Sequence, residues 1–106
     1  MAKYLVTASY TADGAKGVLK DGGTKRKQAA EQAIKSTGGK LEAFYFAFGD
    51  NDAYVIVDAP DHAAVAAMSL AINASGAVRT KTVVLLTPEE IDQAIKKSPT
   101  YQPPGR

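Results

Sequence analysis

The chain has no cysteine, no tryptophan and one histidine. Without cysteine there are no disulfides, no thiolate metal sites and no thiol nucleophile. His62 with scattered carboxylates is a poor metal-ligand set, and one imidazole near a helix start is not a mechanism. No metal and no cofactor is therefore expected. The uncharged stretch 63–78 is short for a bilayer and contains Ser69, Asn73 and Ser75, so no membrane partner is expected. Lys3, Thr7 and Ser9 interrupt the segment after Met1. No signal peptide is expected there, and the expected location is cytoplasmic.

Net charge is small as well. The net charge is +2, too little to imply a nucleic-acid partner. Residues 53–59, AYVIVDA, also lack the aromatic and basic pattern of an RNA-binding sheet. The charge is uneven: residues 1–40 carry eight Lys/Arg against three Asp/Glu, and residues 41–106 carry five against eight. The basic excess gathers at Lys16, Lys20, Lys25, Arg26 and Lys27, around Gly22-Gly23. Glycine-rich turns before helices can cradle phosphate, but no Walker pattern is present, and the cluster reads as a solvated helix entrance.

What is present is dense punctuation. Residues 3–10 alternate as a strand, 14–19 suggest a single helical turn, and 24–36 read as a helix stopped by Gly38-Gly39. In that helix Ala29, Ala30, Ala33, Ile34 and Thr37 form the inward face. Residues 41–48 and 53–59 are aromatic and β-branched strands around the turn Gly49-Asp50-Asn51-Asp52. Asp61 caps a helix over 62–75, whose core stripe is Ala64, Val65, Met68, Ala71 and Ile72. Residues 78–86 form a fourth strand. Thr87-Pro88-Glu89-Glu90 is a capping box opening a short helix to 97, and 98–106 is a proline-rich tail. One domain over 1–97 is expected, and the order β-α-β-β-α-β indicates an α+β ferredoxin-like sandwich: four antiparallel strands with helices on one face.

Face composition carries an argument about assembly. A turn over 49–52 pairs Phe48 with Ala53, Phe46 with Val55 and Phe44 with Val57, placing an apolar face under the helices. The opposite face then holds Leu41, Ala43, Tyr45 and Ala47 beside Tyr54, Ile56 and Asp58. Four strands of about seven residues make a face of roughly 450 Å², large enough to favour a face-to-face homodimer. The uncharged outer side of the helix 62–75, with Ala63, Ala66, Ala67, Leu70 and Ala74, is a candidate surface for a higher oligomer.

Polar groups on the strands are the candidate ligand site: Tyr10, Tyr45, Tyr54, Asp58, Arg79 and Thr80. Asp58 and Arg79 are expected on neighbouring parts of one surface, since a charge on a mainly apolar sheet needs a partner. The simpler role for the set is mutual satisfaction inside the sheet or the dimer interface.

Residues 4–86 resemble the GYD-domain family. The matching positions are Tyr4, Tyr10-Thr11 with Gly14, Arg26, Gly38-Gly39, Ala43-Phe44-Tyr45, Gly49, Asp52, Ala59-Pro60-Asp61, Gly76, and Val78-Arg79-Thr80 with Thr82. Asn51 stands where that family has its eponymous tyrosine, Asp58 where it usually has Glu, and His62 where it often has an acid. The resemblance implies a small bacterial protein with a fold akin to the dimeric α/β barrels and no settled activity. Two readings follow: a homo-oligomer that binds a small molecule without catalysis, or a cofactor-free monooxygenase or isomerase with its substrate between sheet and helices.

Overall fold

Alternation along the first strand decides the layering, because Tyr4, Val6 and Ala8 are buried while Leu5, Thr7 and Ser9 turn the other way. A computed structural model describes residues 1–106. Strand β1 (Ala2–Tyr10) is followed by helices α1 (Ala12–Asp21) and α2 (Gly23–Ser36) and strands β2 (Lys40–Phe46) and β3 (Ala53–Ala59). Helix α3 (His62–Ala74), strand β4 (Val78–Leu85) and helix α4 (Pro88–Lys97) complete the order. The strands form one antiparallel sheet in the order β2-β3-β1-β4, the expected ferredoxin-like arrangement. Tyr4, Val6, Val55 and Val57 from the sheet meet Ile34 of α2 and Val65 and Met68 of α3 in the core.

The β2–β3 register differs from the expected one by two residues. Phe46 opposes Ala53, Phe44 opposes Val55 and Tyr45 opposes Tyr54. The loop is still four residues long, but it is 48–51, because the Ala47 amide donates to the Asp52 carbonyl at 2.8 Å. Asp52 is pinned from outside the hairpin: its amide donates to the Ala8 carbonyl and its carboxylate accepts from the Tyr10 amide, both at 2.8 Å. Moving a loop by one residue shifts pairing by two, so every side chain keeps its face. Phe48 is the exception, leaving the sheet and becoming fully exposed. A bulge at Glu42 then turns Leu41 to the core, opposite Val57, and not to the open face expected for it. Burying a leucine is worth about 1.5–3 kcal/mol, which favours the irregularity.

Helix α1 runs ten residues, longer than the single turn expected. It begins early because the Thr11 hydroxyl accepts from the Gly14 amide and donates to the Gly76 carbonyl at 2.8 Å. In α3 only Val65 and Met68 of the expected stripe are buried, and Ala71 is exposed.

The open face runs in rows across the strands. The central row is Ala43, Ile56, Leu5 and Val83, and the next holds Tyr45, Tyr54, Thr7 and Lys81. Helix α4 has the full capping box, but none of its residues is buried, and Ile91 and Ile95 are exposed. The radius of gyration, 16.9 Å, exceeds the roughly 13 Å of a compact chain this long, in keeping with a C-terminal arm standing off the sandwich.

Candidate functional site

The sheet divides the six polar residues singled out on the strands. Tyr10 and Thr80 lie on the helix-covered side, in register with the buried Val78 and Ala8. Tyr45, Tyr54, Asp58 and Arg79 lie on the open side. Tyr45 and Tyr54 oppose each other, and Asn51 Nδ2 lies 3.4 Å from the Tyr54 hydroxyl.

Asp58 and Arg79 are far apart. Asp58 opposes Lys3 and Arg79 opposes Ser9, six residues along β1, or about 20 Å. The expected neighbourhood is therefore not formed. Asp58 is instead bonded to Lys3 Nζ at 3.0 Å, which also reaches Glu42 at 2.6 Å. The hydrogen bonds that Lys3 donates to these two carboxylates, Glu42 first, raise the Lys3 pKa above its ordinary value. Arg79 borders a polar hollow with Thr7, Ser9, Asn51, Asn73 and Lys81.

His62 is a structural partner. Its Nδ1 lies 2.7 Å from the hydroxyl of the buried Tyr4, and the two rings meet edge-on. No group of three or more His, Asp or Glu side chains is placed to hold a metal ion. No helix is long and apolar enough to cross a membrane.

A cavity lies on the other side of the sheet, beneath α2 and α3. Ala8, Ala30 and Ala53 are too small to fill the space between layers, and Val6, Ile34, Phe44, Met68 and Ile72 wall it. Its free volume is about 40 Å³. Polar lining comes from Arg26 and Thr80, with the Tyr10 side chain beside them. Arg26 is the only charged residue there. Its Nε is buried without a hydrogen-bond partner, and Arg26 takes part in none of the chain's ion pairs.

Arg26 also borders a second hollow of about 220 Å³ between α1 and α2, together with Tyr10, Asp13, Asp21 and Lys25. It thus stands as a partition between an apolar slot and a polar vestibule. The sequence reading placed Arg26 in a solvated basic cluster. The missed signal is helical spacing: Arg26, Ala30 and Ile34 fall four residues apart on the stripe that faces the sheet.

The surrounding backbone is tightly held. A Cβ on Gly14 would sit 1.9 Å from the Ala77 carbonyl oxygen, so only glycine lets α1 approach the start of β4. Asn73 clamps α3 to β4, its Nδ2 donating to Thr80 Oγ1 at 2.8 Å and its Oδ1 accepting from the Thr80 amide at 3.1 Å. The vestibule and cavity are therefore framed by fixed elements.

The GYD-domain family model matches residues 4–95. No curated protein matches the chain.

Proposed function

This chain belongs to the GYD-domain family, and we propose that it is a small-molecule-binding protein that works as a homodimer. The observation that carries the binding reading is the cavity between sheet and helices, apolar but for Arg26 and a few hydroxyls. Concave, mainly apolar sites with a few convergent polar groups are the usual form of ligand pockets, and this one, at about 40 Å³, has room only for a ligand much smaller than usual. Binding is preferred to turnover because the polar lining contains no carboxylate and no imidazole, the usual general acids and bases. The proposal locates the protein in the cytoplasm.

The homodimer reading rests on two features. The open face has an apolar central row, in which Val83 is well exposed, beside an exposed Tyr45. Area supplies the second argument. Two faces of roughly 450 Å² bury about 900 Å², short of the ~1,200 Å² of a stable interface. The exposed apolar side of α4 would supply the remainder on the partner. A ten-residue helix is marginal in water without such packing. The outer side of α3, where Leu70 is exposed, is left for any further association.

A calorimetric screen of small neutral aliphatic compounds tests the binding reading, using wild type and Ala30→Leu. Binding to wild type that is lost when the leucine fills the cavity is the expected result. Binding that is unchanged in Ala30→Leu, or no binding to wild type, would contradict it.

A further inference from the structure

We infer that the cavity takes a small monocarboxylate, its charged end on the Arg26 guanidinium and its apolar end among Val6, Ile34 and Phe44. The inference rests on the ligand-binding reading above and adds the chemical class. A cationic donor buried without a partner is costly, and here the protein supplies none. The planar guanidinium matches a carboxylate with two parallel hydrogen bonds, which makes that anion the natural complement.

The nearby acids leave this role open. Asp21 lies 3.9 Å from Lys25 in an ion pair, and Asp13, although it borders the vestibule, makes no ion pair with Arg26. Hydroxyls complete the site. Thr80 Oγ1 already accepts from Asn73, so its own hydrogen is available to a ligand oxygen. Tyr10 uses its backbone amide for Asp52 and its ring for Phe46, which leaves its hydroxyl available as well.

Size and polarity narrow the class. A free volume of about 40 Å³ is well below the ~150 Å³ cavity that admits benzene. A short aliphatic acid fits the slot. A small aromatic acid exceeds the slot and would need part of the adjoining hollow of about 220 Å³ as well. Dicarboxylates are disfavoured, because the apolar slot offers no second cation for the other charge.

The test is calorimetry on the full chain with three acid and amide pairs: butyrate and butyramide, hexanoate and hexanamide, benzoate and benzamide. Succinate is added as the dianion. In wild type at least one acid should bind about 10- to 100-fold tighter than its amide, the discrimination a charge-assisted hydrogen bond supplies. Arg26→Gln should bring that ratio close to one while amide binding persists, and succinate should bind more weakly than butyrate. Equal binding of acid and amide by wild type overturns the inference and leaves the cavity reading standing. So does a ratio that survives in Arg26→Gln. Failure of every probe on wild type overturns both. The wild-type ratio needs no variant, so it decides the matter even where Arg26→Gln does not fold; Thr80→Val then serves as the second variant, with a smaller loss of the ratio expected.

Discussion

The hydroxyl of Tyr4 and Nδ1 of His62 lie 2.7 Å apart, which gives the chain's one histidine a structural task. Tyr4 is among the most deeply buried side chains, and its hydroxyl needs a partner. Removing the imidazole should cost about 1 kcal/mol, and removing it after Tyr4→Phe should cost much less. A double-mutant cycle in urea with His62→Ala and Tyr4→Phe measures this coupling. Simple additivity would show the contact to be energetically empty.

Gly14 and Gly17 make an opposed pair within α1. A methyl group at Gly14 meets the Ala77 carbonyl oxygen, whereas one at Gly17 meets nothing within 4 Å. Gly14→Ala should lower stability by at least about 1–3 kcal/mol, the cost of overpacking. Gly17→Ala should raise it by roughly 0.5–1 kcal/mol through helix propensity. Chemical denaturation of the two variants checks both signs, and loss of stability in Gly17→Ala would mean that α1 is positioned otherwise.

Local signals were legible in the sequence, and non-local ones were not. The capping box at Thr87 and Glu90, the Asp61 cap and the Gly38-Gly39 stop act within a few residues, so the string alone carried them. The hairpin register depended on Asp52 reaching Ala8 and Tyr10 on another strand, which no turn propensity reports. The length of α1 likewise depended on Thr11 meeting Gly76 across the fold. Asp58 was correctly seen as a charge needing a partner, but Lys3 was nearer than Arg79 once β1 took its place beside β3. Arg26 escaped because its neighbours Lys25 and Lys27 made it look solvated, while its four-residue spacing to Ala30 marked it as facing inward.

Alkaline pH probes the Lys3 cluster. Lys3 has a raised pKa in the folded chain, owing first to its hydrogen bond with Glu42 and then to that with Asp58. Its contribution is thus full below the ordinary lysine value and is lost as pH rises through the raised one. Melting curves of wild type and Lys3→Gln should differ at neutral pH and converge in that alkaline window. The amplitude is small, since the group is solvent-screened. A difference that persists unchanged at high pH would contradict the assignment.

Assembly is tested by two changes at separate places. Ile56→Lys sets an unpaired charge in the central row of the open face and should weaken the dimer by several kcal/mol, roughly 3–5, while the monomer fold survives. Truncation after Leu86 removes α4 and the tail, none of whose α4 residues is buried in the monomer, and should also favour monomers. Truncation after Lys97 alone should leave the fold intact. Sedimentation at micromolar concentration reads the first two, and the melting temperature reads the third. Wild type sedimenting as a monomer would rule out the dimer.

Under the proposed function the two faces of the sheet have different tasks, self-association on the open side and ligand binding on the covered side. The decisive measurement is amide chemical-shift mapping of the full chain titrated with butyrate, and with hexanoate in parallel. Shifts are expected at Val6, Arg26, Ile34, Phe44 and Thr80, which border the cavity, with Tyr45, Tyr54, Asp58 and Arg79 unmoved. Shifts gathered at those four open-face residues, with the cavity silent, would contradict it.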